Sequence, residues 1–282
     1  MTQTENLPLV SIITPVYNGS KYIEELIRSV RSQDYPNIEH IIIDDGSRDG
    51  GATVAILKRH PHLRWWSREN RGQYATMNEG LEAARGEIVC FISSDDRMMP
   101  GAIRLVIEFL TSHHQYDGVY GLTRYMDANG GDYPIPIPFR KAPFAFYPYF
   151  SHIEHCSLYI CRNSLIANRL FFDATIKYVG DYDWILRIQG TRLRLGRINR
   201  PLSEIRIHTL QATQLYQRTI VVEKKKILVG NHVNPMLYFV FTVIYVLVHD
   251  AWKLAYTIKR SGLQGGYQLI RNKCFKKEKN EF

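Results

Sequence analysis

Several function classes are disfavoured by what this chain lacks. It has four cysteines, Cys90, Cys156, Cys161 and Cys274, with no CxxC pair. That spacing suits neither a disulfide scaffold nor a cysteine zinc site, and it reads as reduced thiols in a cytosolic protein. The opening residues, with Glu5 and no apolar stretch, do not make a signal-peptide pattern. No GxGxxG or P-loop sequence follows any predicted strand, so dinucleotide-binding and NTPase readings lose their main support.

The 282 residues contain 45% hydrophobic and 12% aromatic side chains, enough for one large domain or two modest ones with a real core. The formal charge of +9 is unevenly placed: residues 251–282 carry eight Lys/Arg against two Glu, a local +6. Charge confined to a tail predicts a local electrostatic contact and argues against a nucleic-acid partner.

Residues 9–14 read as a strand, broken by Pro15-Val16-Tyr17-Asn18-Gly19. Ser20 is placed to N-cap the next helix, with Glu24 and Glu25 near its first turn. Tyr22, Ile23, Leu26, Ile27 and Val30 give that helix a buried face. A second strand, 38–43, runs into Asp44-Asp45-Gly46-Ser47-Arg48-Asp49-Gly50. The offsets there imitate a calcium loop, but Ile56 stands where the bidentate glutamate is needed, so an EF-hand is rejected. An acidic loop at a strand's end can instead accept hydrogen bonds from a ribose or a base. A short strand at 63–66, a helix at 74–84 and a helix beginning near Gly101 continue the alternation. Strands alternating with helices predict a largely parallel sheet covered on both faces.

The apolar run 88–92 ends in Ser93-Ser94-Asp95-Asp96. Ligands collect at the carboxyl ends of strands in open α/β sheets. Two adjacent carboxylates there can serve a hard divalent cation or cap the next helix. Residues 127–148, rich in Pro, Gly and aromatics, read as a long loop of a length that is often functional. Trp184, Ile185 and Ile188 suit a buried helical face with Asp181 and Asp183 at its start, and capping is the plainer role for Asp183. Residues 202–208 alternate as a strand does. The uncharged run 236–248 has 13 residues, short of the roughly 20 that span a bilayer, and with its flanking Lys and Arg it suits an interfacial helix. A core helix with a solvated basic tail is the alternative.

Six of these segments, in order, resemble the family 2 glycosyltransferases, inverting enzymes of the GT-A fold. They are Ser11-Ile12-Ile13-Thr14-Pro15-Val16-Tyr17-Asn18, Ile42-Ile43-Asp44-Asp45-Gly46-Ser47-Arg48-Asp49-Gly50, Asn78-Glu79-Gly80, Ala84-Arg85-Gly86-Glu87, Ser94-Asp95-Asp96 with Pro100, and Gly180-Asp181-Tyr182-Asp183. The likeness covers residues 8–213, and 66–80 is similar to bacterial members that build O-antigen and other surface polysaccharides. It implies a Rossmann-like, mostly parallel mixed sheet flanked by helices. The implied organisation is a glycosyltransferase domain over 1–220 (donor half 8–120, acceptor half 121–220) and a helical, basic, membrane-associating segment over 221–282.

The implied roles follow. Thr14, Pro15, Tyr17 and Asn18 would line the nucleotide pocket, Asp45 would meet the uracil or ribose, and Ser94 and Asp95 would meet the donor. Asp95, with Asp96 behind it, would hold Mg²⁺ or Mn²⁺. Asp181 matches the catalytic base, and Arg206 and His208 resemble a basic pair near the donor phosphates, with His208 also a metal ligand. The expected partners are a UDP-sugar, a glycan or polyprenyl-diphosphate-linked acceptor, and an anionic membrane surface on the cytoplasmic side.

Two departures stand out: Ser93 where many members have an acid, and Gly180 where a glutamate often precedes the base. The QxxRW-type motif of processive synthases is absent, which implies addition of a single sugar. A sugar nucleotidyltransferase is the rival enzyme, although it should carry a basic Gly-rich loop where this chain has 15–19. A silent scaffold subunit of a polysaccharide assembly complex is the rival outside catalysis.

Overall fold

The computed structural model describes residues 7–133 and 142–278, with side chains through 259. Part of the loop expected at 127–148, the opening residues and the last residues of the basic tail therefore lie outside the described residues.

Three apolar runs build the centre of the sheet: β1 (Val10–Val16), β2 (Ile38–Asp44) and β4 (Ile88–Phe91). Their alternate residues enter two separate cores. Ile13, Ile41, Ile43, Val89 and Phe91 face one, while Ile12, Ile42, Ile88 and Cys90 face the other. A strand covered on both faces must be apolar throughout, which explains continuous runs in place of alternation. Helices α1 (Ile23–Arg31) and α4 (Ala102–Ser112) cover the second face. Helices α3 (Gln73–Ala83) and α7 (Gly180–Gln189) cover the first, where Trp184, Ile185 and Ile188 are buried as their spacing predicts.

The sheet has eight strands in the order β3-β2-β1-β4-β7-β6-β8-β5, completed by β3 (Arg64–Ser67), β5 (Arg97–Met98), β6 (Gly118–Met126), β7 (Leu158–Cys161) and β8 (Leu195–Arg206). β1 pairs in parallel with β2 and β4, β2 with β3, and β6 with β8; β7 runs antiparallel to β4 and β6, and β5 to β8. The mixed α/β sheet agrees with the expected fold class. Because β1, β2 and β4 are parallel, their carboxyl ends open on the same edge, and the loops after them meet there.

Local expectations shift in four places. β1 runs two residues beyond its predicted end, through Pro15 and Val16, because the β4 ladder stops at Ile13, so that Pro15 lies on a locally open edge where its missing N–H leaves no ladder bond unmade. Ser20 does not cap α1: the chain turns at Gly19, whose carbonyl accepts the N–H groups of Tyr22 and Ile23. Asp95 and Asp96 do not cap α4, which starts after Gly101 in the left-handed conformation. Asp183 pairs with Arg187 one turn along α7, Nε to Oδ2 2.7 Å, and makes no cap.

Beyond β8 lie α8 (Ala212–Leu215), α9 (Gln217–Gly230) and α10 (Pro235–Glu278). Ile227 and Leu228 of α9 are buried in the first core, so the boundary expected at 220/221 falls within a helix packed on the domain. The stretch Pro235–Lys259, 25 residues with a mean hydropathy of 1.4, is long and apolar enough to cross a membrane, and none of it is buried. It outruns the 13-residue apolar run because the helix carries on through His249, Asp250 and Lys253. A core helix is thereby excluded.

His40 on β2 is a buried polar residue with a measurable consequence. Its Nε2 lies 3.1 Å from Thr14 Oγ1 and its Nδ1 has no partner among the described residues. Burial, reinforced by the charges of His62 and His60, holds the imidazole down at about 3, against 6.5 for a free one. The unfolded chain therefore takes up this proton first as pH falls. The stability tied to His40 is complete above about pH 6.5 and is lost progressively toward pH 3, on the order of 4 kcal/mol in all. Urea denaturation between pH 6.5 and 4 should show a steeper pH dependence for the parent than for His40→Gln, by about one proton. Equal slopes would contradict the buried neutral ring.

Candidate active site

The loops that meet at the carboxyl edge are tied to one another by side chains. Asn18, at φ 51°, donates its N–H to Ser47 Oγ (2.8 Å) and accepts Arg48 N–H at its Oδ1 (2.7 Å), which joins the loop after β1 to the loop after β2. Thr14, expected in the nucleotide pocket, is fully buried and its hydroxyl faces His40. Pro15 pairs with Ile43 inside the sheet. Tyr17 is 48% exposed and presents its ring at the edge.

Asp45 is buried at 3% exposure, and its carboxylate is already occupied. Arg68 bonds Oδ1, and the N–H groups of Arg71 and Gly72 reach Oδ1 and Oδ2 at 2.8 and 3.0 Å. Arg68 in turn bonds Glu79 (2.8 Å) and Thr76 (2.8 Å) on α3. Asp45 thus organises loop 68–72 at the end of β2, where the resemblance implies the uracil or ribose.

Asp95 and Asp96 follow β4 and diverge. Asp95 Oδ2 lies 2.9 Å from His208 Nε2, with both side chains partly open to solvent. Asp96 is buried, and its Oδ1 accepts Arg206 N–H at 3.1 Å. Burial, then the adjacent Asp95 charge, pushes the Asp96 carboxyl well above the usual range. Arg206 is 1% exposed and faces inward. Its Nη2 meets Glu25 Oε2 at 2.5 Å, its Nε meets the Asp95 carbonyl at 2.9 Å, and its guanidinium stacks 4.5 Å over the Tyr22 ring. It holds the acidic segment in place and leaves His208 as the exposed member of the pair.

Asp181 opens α7 and reaches the same region from the other core. Its Oδ1 accepts Tyr182 N–H (2.9 Å) and the Tyr74 hydroxyl (3.3 Å), and its Oδ2 lies 3.2 Å from His155 Nδ1. Burial pushes this carboxyl up, but the bond and charge of His155 and the two other donors outweigh it, and the net shift is downward. Nearby, burial and then the Asp181 charge raise Glu154, against the Tyr125 hydroxyl bonded at 2.7 Å. Lys224 of α9 reaches in to Ser151 Oγ (2.9 Å) and sits 4.4 Å from the Tyr182 ring centre. Burial lowers its ammonium, while Asp181 and Glu154 resist the shift.

His155, Tyr74, Glu154 and Lys224 were not singled out as site residues in the sequence. Only the acidic-basic pair at 154–155 hinted at a polar turn, and Lys224 lies in a lysine run that reads as a solvated face. Gly180 gains an explanation: a Cβ there would stand 2.7 Å from the Tyr74 ring, so the missing glutamate leaves room for the tyrosine that bonds Asp181.

Comparison with known proteins places these features in context. The family model described as "Glycosyl transferase family 2" matches residues 11–173. An uncharacterized glycosyltransferase of Rickettsia typhi is 31% identical over 76% of this chain and 68% of its own length. Another, from Rickettsia felis, is 34% identical over 64% of this chain, which spans only 32% of that protein. Among solved structures, Staphylococcus aureus TarS 1–349 in complex with UDP-GlcNAc superposes with a TM-score of 0.61 at 18% identity, over 93% of this chain and 79% of that one. The mannosyltransferase PcManGT of Pyrobaculum calidifontis, in complex with GDP-Man and Mn²⁺, gives 0.55 at 17% identity, over 96% and 81%. At these identities the structural likeness shows the fold, a mixed sheet flanked by helices of the GT-A kind.

The contact between Gly180 and Tyr74 can be tested by a double-mutant cycle. Gly180→Ala should cost about 1–3 kcal/mol in urea denaturation, because the tyrosine ring must give way. In Tyr74→Ala the same methyl group has space, so the two losses should fall short of additive by 0.5 kcal/mol or more. Additive losses would mean that the ring does not press on position 180.

Proposed function

We propose, for a chain that belongs to glycosyl transferase family 2, that it transfers one sugar from a nucleotide-sugar, UDP-linked, to a hydroxyl of a glycan or polyprenyl-linked acceptor, with inversion, in bacterial surface polysaccharide synthesis. The observation that carries this reading is the convergence of Asp181, held by His155 and Tyr74, with Asp95 and His208 at one sheet edge. UDP-GlcNAc in the TarS complex supports a UDP donor.

The nucleotide would lie over the ends of β1 and β2 against the exposed Tyr17 ring, with Asn18 and Asp45 shaping the loops and Ser94 and Asp95 meeting the diphosphate. Asp181 takes the acceptor's hydroxyl proton as general base. The acceptor oxygen attacks the anomeric carbon as the bond to the nucleoside diphosphate breaks and that group leaves with the electron pair. A single displacement inverts the centre and uses no enzyme nucleophile.

Asp95 Oδ2 and His208 Nε2 meet at 2.9 Å, an oxygen–nitrogen pair of the kind that suits Mn²⁺, although among the described residues no group of three His, Cys, Asp or Glu side chains is gathered to hold an ion without the donor's own oxygens. Asp95 and His208 would hold the ion, with Asp96 behind them. When bound, it supplies neutralisation of charge on the departing diphosphate.

In a screen of nucleotide sugars, Asp181→Asn should lower kcat at least about 100-fold, the usual scale for a general base, while Mn²⁺-dependent UDP binding stays intact. Asp95→Ala should weaken that binding about tenfold in calorimetry. Parent-like turnover in Asp181→Asn removes the base assignment. Pyrophosphate release from a nucleoside triphosphate would point to the nucleotidyltransferase, and the absence of turnover across the panel to the scaffold.

Helix α10 supports docking on the cytoplasmic leaflet. Phe239, Val240, Val243, Ile244 and Leu247 are exposed along it, and the basic tail follows. In flotation with anionic liposomes the full chain should rise with the vesicles, and a chain ending at Asn231 should stay behind. Equal recovery of both would refute a membrane role.

A further inference from the structure

His155 lies outside the six segments that carry the family likeness, on the turn His155–Ser157 that leads into β7. Its side chain is 9% exposed and both ring nitrogens are engaged. Nδ1 stands 3.2 Å from Asp181 Oδ2, and Nε2 stands 3.4 Å from Ser93 Oγ. An ionised carboxylate only accepts, so Nδ1 carries the proton. Nε2 then accepts from the Ser93 hydroxyl when the ring is neutral, or donates to it when the ring is charged. The imidazole therefore spans the gap between the base on α7 and the segment after β4 that precedes Asp95.

We infer that His155 is a positioning residue for sugar transfer, fixing Asp181 in the orientation that takes the acceptor's proton and tying it to the donor-side segment through Ser93. The inference rests on the function proposed above. Oδ1 of Asp181 already accepts two hydrogen bonds, from Tyr182 N–H and the Tyr74 hydroxyl, whereas Oδ2 accepts, among the described residues, that of His155 alone. Each carboxylate oxygen has two lone-pair directions, so Oδ2 is the oxygen with room for the proton. Its direction is set by His155. The acceptor's hydroxyl proton goes to Oδ2 as the new carbon–oxygen bond forms and the nucleoside diphosphate leaves with its electron pair.

The surroundings favour this role over simple packing. Asp181 on α7, Glu154 beside it in the chain, Asp95 after β4, Lys224 on α9 and Tyr74 on α3 are the titratable groups around the ring and its partner carboxylate. Burial opposes charge on His155, but the hydrogen bond and charge of Asp181, then the charges of Glu154 and Asp95, raise it overall. The same pair lowers Asp181. Ser93, where relatives often have an acid, becomes the neutral outer partner of this histidine.

Three variants test the idea. Phenylalanine keeps the volume and loses both nitrogens. Asparagine keeps a donor near the Nδ1 position, and glutamine shifts it toward Ser93. His155→Phe should lower kcat 30-fold or more with the nucleotide-sugar KM within threefold of the parent, and the acid limb of its kcat/KM profile should move upward by at least half a pH unit. His155→Asn should recover kcat to within about fivefold, and His155→Gln should stay at least tenfold below the asparagine variant. Parent-like kcat in His155→Phe, or a rise in KM alone, overturns the inference. If the phenylalanine chain does not fold, the asparagine–glutamine pair decides, and equal kcat in those two overturns it. Asp181→Asn separates the two readings: if it is impaired while His155→Phe matches the parent, only the positioning role falls. Parent-like turnover in Asp181→Asn sinks both.

Discussion

The buried guanidinium of Arg206 is the interaction on which the donor side of the site depends. It joins three separate pieces of chain: Tyr22 and Glu25 at the start of α1, the Asp95 carbonyl after β4, and the carbonyls of Asp127 and Ala128 in the turn after β6. A charge this deep is tolerated only when paired and hydrogen-bonded, and removing one partner of such a pair typically costs 3–5 kcal/mol. Arg97 beside it ties Glu25 to Glu204, so the acidic segment is braced on both flanks. The partly open Asp95–His208 pair faces the edge while the bracing is supplied one layer further in.

That division of labour accounts for what the sequence disclosed and what it withheld. The central strands were legible because β1, β2 and β4 are covered on both faces and so spell continuous Val, Ile and Phe. Helix α1 was legible from the spacing of Ile23, Leu26, Ile27 and Val30, all buried as expected. The edge where ligands gather followed from acidic loops at the strand ends, and Asp95 and Asp181 do arrive at that edge. Side-chain direction was not legible. Thr14, Asp45 and Arg206 turn to His40, Arg68 and Glu25, contacts separated by 26, 23 and 181 positions in the chain. No local periodicity encodes such pairs. His155 and Tyr74 stayed hidden for the same reason, since their bonds to Asp181 join three elements far apart in sequence.

Electrostatically the site is an acidic cluster held short of full ionisation. Asp95, Asp96, Glu154 and Asp181 lie within reach of one another's charge, and burial alone would drive the buried members toward their neutral forms. The cluster resolves this unevenly. Asp181, bonded by His155, Tyr74 and Tyr182 N–H, is pulled down, whereas Asp96 and Glu154 are pushed up. Carboxylates with divergent environments take divergent roles, one suited to accept a proton and others suited to structure or to a cation. Ser93 and Gly180 fit the same pattern. Each omits a further acid from a crowded site: Ser93 offers His155 an uncharged hydroxyl, and Gly180 leaves space for the Tyr74 ring.

The C-terminal segment connects to this chemistry through aromatic packing. Phe241 of α10 meets Phe146, Tyr149 and Phe150 with ring centres 4.7–5.7 Å apart. Tyr147, in the same short helix α5 (Tyr147–Phe150), lies 5.4 Å from the ring of Tyr182, the residue after Asp181. On α9, Glu223 accepts the N–H groups of Lys177 and Tyr178 just before α7, while Lys224 turns toward Ser151. The helix that is apolar enough for a membrane is thus two packed layers from the carboxylate assigned as base. On the function proposed above, docking that helix on a bilayer would hold Asp181 at a set height above the lipid, where a tethered acceptor would meet it with little need for tight binding of its own.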